Sequence, residues 1–281
     1  MRIQHSLHSR SVGVGPGTVP TASVPAIAGP HISESGYVAG LHGRQVRHHG
    51  PDYVSFFDDF LGDVIPDQIN LVEGTDSATS AGAILAGGIG GVLRLTTGDA
   101  GTGYAADAEQ LTMALQWQAS NGDLCFQTRL KLSAITTCQA FIGFTDDAST
   151  LEAPVESAAS ANTLTSTAGD AVGFMFDTRM STDNWWLVGT AATVPATHQD
   201  SGFAPVADTY ATFRIEITPA GVATFFYNGK QVGTAMTGAV TPATDLTPTI
   251  SVSKTSVTAS MTMDIDYWHV SMRRGPDGGA V

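Results

Sequence analysis

The chain has 281 residues, 14% of them charged, with 13 bases against 26 acids and a formal net charge of −13. So few Lys and Arg exclude a general phosphate-backbone binder, which must neutralise many phosphates, and no run of 18 apolar residues is present to cross a bilayer as a helix. An apolar content of 42%, with 12 Phe, 6 Tyr and 4 Trp, is enough for a packed core.

The first 50 residues differ from the rest. Four arginines (Arg2, Arg10, Arg44, Arg47) oppose the single acid Glu34, a net charge of +3, while the other 231 residues hold nine bases and 25 acids, a net charge of −16. Six of the eight His fall here, but no Cys or carboxylate cluster completes a ligand set, so no metal is expected. The opening Met1-Arg2-Ile3-Gln4-His5-Ser6 lacks an apolar stretch, and no secretory signal is expected. Runs such as Val12-Gly-Val-Gly-Pro-Gly-Thr-Val-Pro20 combine missing amide donors with a high entropy cost of ordering, so the segment does not fold alone. Scattered apolar anchors favour an extended arm that orders on a partner over a free linker. The expected contacts are Arg2, Arg10, Val12, Val14, Ile27, Tyr37, Arg44 and Arg47.

From Tyr53 onward the pattern has period 2. Tyr53–Phe57 reads as a strand, and residues 84–95 as strand, glycine-rich turn, strand. Leu111, Met113, Leu115 and Trp117 are expected on one face of a strand, and 107–116 and 157–163 are the two stretches that could hold a turn of helix. Leu124–Leu132 alternates strictly, so one face is buried and the other, with Cys125, Gln127, Arg129 and Lys131, is solvated. Residues 138–144, 171–176, 185–188, 210–217 and 222–227 follow as strands. Asn228-Gly229 is the preferred pair for a type I′ hairpin turn, which needs φ > 0 at both positions. Residues 230–234, 249–253 and 260–272 complete the set. In the last, Met261, Met263, Ile265, Tyr267, His269 and Ser271 are expected on one face, with Asp264, Asp266, Trp268 and Val270 on the other. Many short strands between Gly, Pro and Asp turns define an all-β antiparallel sandwich. The expected organisation is an arm over 1–50, a sandwich over 51–272 and a tail over 273–281.

Several ordered segments together resemble the concanavalin A-like (laminin-G-like) jelly-roll sandwiches. They are Thr212-Phe-Arg-Ile-Glu-Ile217, Val222-Ala-Thr-Phe-Phe-Tyr-Asn-Gly-Lys-Gln-Val-Gly-Thr234 and Met263-Asp-Ile-Asp-Tyr-Trp268. The entry Phe56-Phe-Asp-Asp-Phe-Leu-Gly62 is similar to that of such domains in tailed-bacteriophage structural proteins. The resemblance implies a jelly roll with an extended N-terminal arm, in a superfamily of lectins, glycoside hydrolases and virion domains.

The hydrolase members carry a Glu-x-Asp-x-(x)-Glu strand whose carboxylates flank the scissile bond. Here Glu216 stands alone, Glu152 and Glu156 sit around a proline, and Asp264 and Asp266 are expected on a solvated face or hydrogen-bonded to an edge loop. No nucleophile elbow, phosphate loop or His-Glu-x-x-His is present. No catalytic residue is expected, and no cofactor. Asp58/Asp59 and Asp146/Asp147 are hard-oxygen pairs of the kind calcium takes, without an ordered loop pattern around them. Cys125 and Cys138 are expected to remain thiols. Adjacent Trp185 and Trp186 must point to opposite sides of a strand, which offers one exposed aromatic contact.

The resemblance and the charge split lead to a non-catalytic capsid decoration (cement) protein on the virion surface, made in the host bacterial cytoplasm. Its arm would anchor on the major capsid protein, and its copies would form a homo-oligomer, taken as a trimer. The alternative is a receptor-binding or tail-fibre lectin module with a glycan partner. Neither nucleic acid nor membrane is expected as a partner.

Overall fold

The computed structural model describes residues 37–39, 45–47, 52–75, 81–87, 90–99, 104–157, 163–256 and 259–275. The chain divides into two units, Met1–Val46 and Arg47–Val281.

Two short strands, β1 (Tyr37–Ala39) and β2 (Gln45–Arg47), pair with each other. There follow β3 (Tyr53–Asp58), β4 (Asn70–Glu73), β5 (Ala81–Ile84), β6 (Leu93–Thr96), one helical turn α1 (Tyr104–Asp107) and β7 (Glu109–Thr112). The middle of the chain forms β8 (Leu124–Leu132), β9 (Cys138–Thr145), β10 (Val155–Ser157), β11 (Leu164–Ser166), β12 (Ala171–Asp177) and β13 (Trp186–Ala191). Then come β14 (Val194–Pro195), β15 (Gln199–Asp200), β16 (Ala211–Ile217), β17 (Ala223–Tyr227), β18 (Lys230–Met236), β19 (Thr247–Lys254) and β20 (Thr262–Arg273).

Two antiparallel sheets face each other. The first runs β14-β13-β12-β9-β19-β7-β4, with β15 also on β13. The second runs β18-β17-β16-β8-β20-β6-β5, with β3 also on β20. Neighbouring strands are mostly distant in sequence, so the order is that of a jelly-roll sandwich. Alternation builds the core: Ala140, Ile142, Phe144, Val172, Phe174 and Phe176 of the first sheet meet Phe126, Leu130, Phe213, Ile215 and Phe225 of the second. Aromatic rings interlock edge to face, with Phe174 at 5.2 Å from Phe213 and 5.4 Å from Phe225. The Asn228-Gly229 turn has φ of 49° and 78°, the primed geometry read from the sequence. Ala192 and Thr193 make a second tight turn with φ of 47° and 67°, which no glycine or asparagine signals.

Three expectations need correction. Strand β7 stops at Thr112, so Leu115 is 43% exposed instead of sharing the inner face with Leu111 and Trp117. The helical turn lies at Tyr104–Asp107, before that strand. The third concerns β20. Ile265 faces Leu130, but Tyr267 already faces Arg129, so Asp266 is an extra residue in the ladder. Such a bulge shifts the side-chain phase by one. Met263 and Ile265 point inward before it, and Trp268, Val270 and Met272 point inward after it. Tyr267, His269 and Ser271 therefore lie on the outer face, opposite to the unbroken alternation expected.

Candidate functional site

Of the arm residues expected to bind a partner, Arg2, Arg10, Val12, Val14, Ile27 and Arg44 lie outside the described residues, as does the tail beyond residue 275. Tyr37 falls on β1 and Arg47 on β2. Candidate sites among the described residues are therefore the outer faces of the two sheets.

The outer face of the first sheet is covered. Phe141, Met175, Trp186 and Val188 project from it and pack under Val155, Leu164, Ala168 and Met180, forming a second apolar cluster. The β10–β11 pair supplies Val155 and Leu164, in register through Glu156 and Thr165. Trp186 is 7% exposed, its indole N–H donating to the Thr182 carbonyl at 3.3 Å, and Trp185 is 1% exposed in the main core, 4.7 Å from Phe213. The two rings do diverge, but the exposed aromatic contact expected at Trp185 or Trp186 is absent, because the chain's own hairpin occupies that face. Beside this apolar half lies a polar row, Asp177–Gln139–Ser253, in register across β12, β9 and β19. Arg179 grips buried Asp177 with both Nε and Nη2 and donates to Gln139 Oε1 at 2.9 Å.

The outer face of the second sheet is a charge network. Arg94 on β6 holds Asp264 through two hydrogen bonds of 2.6 and 2.8 Å, and Lys131 approaches the same carboxylate at 3.4 Å. Arg129 pairs with Asp266 at 2.6 Å while stacking over Tyr210 at 4.2 Å. Arg214 lies over the Phe226 ring at 3.9 Å and beside Glu216 at 3.5 Å. Asp264 is only 4% exposed, so it is a buried carboxylate neutralised from the neighbouring strands β6 and β8, and neither a solvated group nor one bonded to an edge loop as the sequence suggests. Burial pushes its carboxyl up, but the Arg94 hydrogen bonds and the Arg94 and Lys131 charges outweigh that and hold it below the usual carboxylate range. Such a group stays ionised and engaged, and it has no free proton to give to a leaving group.

Arg94→Ala is expected to cost about 2 kcal/mol at neutral pH, the scale of charge-assisted hydrogen bonds to a buried carboxylate. A depressed folded-state pKa contributes stability above the unfolded value of about 4 and loses it as pH falls through the lower folded value. Urea melts of wild type and variant should therefore converge below about pH 4. A constant gap down to pH 2 would show that the pair does not govern this term.

In each acidic pair considered for calcium, one member serves the backbone. Asp147 Oδ1 accepts from the Ser149 and Thr150 amides at 2.8 and 2.9 Å, and Asp58 Oδ1 from the Phe60 amide at 2.6 Å. Among the described residues no three of His, Cys, Asp and Glu converge as a metal site would require. Cys125 and Cys138 are both buried and no disulfide joins them. Asp170 was not singled out by the sequence. Its carboxylate accepts from the Thr241 amide, from the Ala192 amide at 3.2 Å and from the Thr244 hydroxyl at 3.4 Å, tying two loops together. Only the folded loops reveal those donors.

The fold is a concanavalin A-like jelly-roll sandwich. No family model and no curated protein matches the sequence. Solved structures with this fold include the carbohydrate recognition domain of Emp47p, with a TM-score of 0.52 and 11% identity over 80% of this chain and 96% of that one. A Bacillus licheniformis β-glucanase superposes with a TM-score of 0.51 and 12% identity over 77% of this chain and 97% of its own. A protein of unknown function from Shewanella oneidensis MR-1 reaches a TM-score of 0.50 at 15% identity, over 79% and 87% of the two chains. At these identities the likeness concerns the fold.

Proposed function

We propose that this chain is a non-catalytic structural protein of a virion: a capsid decoration (cement) protein. Its N-terminal segment engages major capsid subunits, and its acidic sandwich sits on the capsid surface in several copies. One observation carries the non-catalytic part. A carboxylate and an indole that a sugar-processing cleft could use are already committed to the fold, Asp264 to Arg94 and Lys131, Trp186 to the β10–β11 cover. The split between a basic first 50 residues and an acidic remainder supports the anchoring part. A glycan-binding module is the second reading, favoured by Phe203, 43% exposed and lying against Tyr227 at 5.2 Å and 30°, an arrangement on which a sugar ring could stack.

The test is cosedimentation with capsid shells beside a glycan array. Full-length protein is expected to pellet with shells, and replacing Arg2, Arg10, Arg44 and Arg47 by Gln should weaken that binding by about fourfold to several hundredfold, from four exposed pairs worth about 0.2–1 kcal/mol each. The loss should shrink as salt rises, since screening acts over about 8 Å at physiological ionic strength. Micromolar binding to a defined glycan without shell affinity would replace the cement reading by the lectin one.

A further inference from the structure

Three of the most solvent-exposed large apolar side chains among the described residues lie within eight positions of one another: Phe57 at 50%, Leu61 at 74% and Val64 at 75%. The end of β3 and the loop after it, which carry them, are held in place. Between them Phe60 is 1% exposed, buried in the main core, and its amide bonds to Asp58. Gly91 lies so close to the Asp59 and Phe60 carbonyls that no Cβ would fit there. A surface that fixes apolar side chains in water gains when a partner covers them.

The surroundings define the partner's charge. Residues 52–67 contain Asp52, Asp58, Asp59, Asp63 and Asp67 and no Lys or Arg. Burial and the negative charges of Asp266 and Asp58 push the Asp59 carboxyl above its usual range, and among the described residues no cation pairs with it. Phe57 precedes it by two residues on β3, its ring 6.0 Å from Tyr267 and 6.2 Å from His269. An aromatic face next to an uncompensated carboxylate suits a guanidinium, which stacks and pairs at once. The chain carries a segment of matching chemistry: residues 1–50, with four Arg, one acid, and Val12, Val14 and Ile27 between them.

We propose that the 57–64 surface of one copy receives the N-terminal segment of a second copy, apolar residues covering Phe57, Leu61 and Val64 and an arginine of the segment pairing with Asp59. Extended, 50 residues span up to about 165 Å, enough to reach a neighbour. The contact joins two different surfaces, so it closes as a reciprocal arm-exchanged dimer or a larger ring, or continues as an open array. It does not depend on the capsid reading.

Sedimentation velocity of the full-length chain over a concentration series at low salt tests this. Wild type is expected to self-associate, less so as salt rises. Leu61→Ser with Val64→Ser, and separately Asp59→Asn, should each raise the dissociation constant at least tenfold. The four Arg→Gln replacements at Arg2, Arg10, Arg44 and Arg47 should do the same. An equimolar mixture of the surface variant and the arginine variant should form one heterodimer and nothing larger, because only one arm and one surface remain competent. A wild type that stays monomeric at every concentration would overturn the proposal. So would association that survives the surface variants, or a mixture that stays monomeric. Thermal melts identify any variant that unfolds, and Asp59→Asn, at an exposed position, then carries the test alone. Shell binding is measured separately, so either reading can fail without the other.

Discussion

Deletion of Asp266 is expected to leave the chain without a cooperative thermal melt, while Asp266→Ala retains one. Asp266 is the extra residue between Ile265, opposite Leu130, and Tyr267, opposite Arg129. Removing it restores unbroken alternation and turns every later side chain of β20 to the other face. Trp268, Val270 and Met272, all buried now, would leave the main core for the outer face, at roughly 2 kcal/mol each. His269 and Ser271 would enter the core among apolar groups, adding further cost. The strand could keep its faces only by slipping against both β3 and β8, with which it is in register through Arg273 and Ser271. Against a total stability of about 5–15 kcal/mol, neither outcome leaves a well-folded sandwich. Asp266→Ala loses only the partly exposed Arg129 pair, about 1 kcal/mol. Circular dichroism melts decide the matter, and a deletion variant melting within a few degrees of wild type would show that the bulge does not set the phase.

The second large effect separates the two adjacent tryptophans. Trp185→Ala removes a ring fully buried against Phe213 and Phe176, and should cost about 4 kcal/mol spread over the whole transition. Trp186→Ala removes a ring from the smaller cluster beneath β10 and β11, and should cost about 3 kcal/mol. Its effect should be local, because that cluster is a layer outside the sheet and can open while the sandwich persists. Hydrogen exchange should quicken at 155–157 and 164–168 in Trp186→Ala well before the strands of the first sheet exchange. If Trp186→Ala instead left both melt and exchange unchanged and abolished binding to a glycan, the ring would be a recognition platform and the cover over it a detachable one.

Much of the fold could be read from local pattern. Leu124–Leu132 alternates over nine residues, and only a half-buried strand satisfies that. Asn228-Gly229 specifies its turn because few other residues tolerate φ > 0 twice. The Ala192-Thr193 turn uses the same geometry without that chemistry, held by neighbours distant in sequence such as the Gly169 carbonyl, which accepts from the Thr193 amide. The strand Asn70–Glu73 also went unread, because four residues with one central apolar pair carry no usable period. At the candidate sites, local reading located the charged residues but not their partners. Arg94 and Asp264 are 170 positions apart, and nothing in either segment announces the other.

The amino-acid sequence alone determined that this is an all-β chain with a basic N-terminal stretch and an acidic remainder, because residue period and charge are properties of short stretches. Only the tertiary structure decided which face of β20 is inward, since a bulge exists only relative to the strand it pairs with. It also decided that Trp186 is covered and that Asp264 is neutralised, since burial and ion pairing depend on which distant segments fold over a side chain.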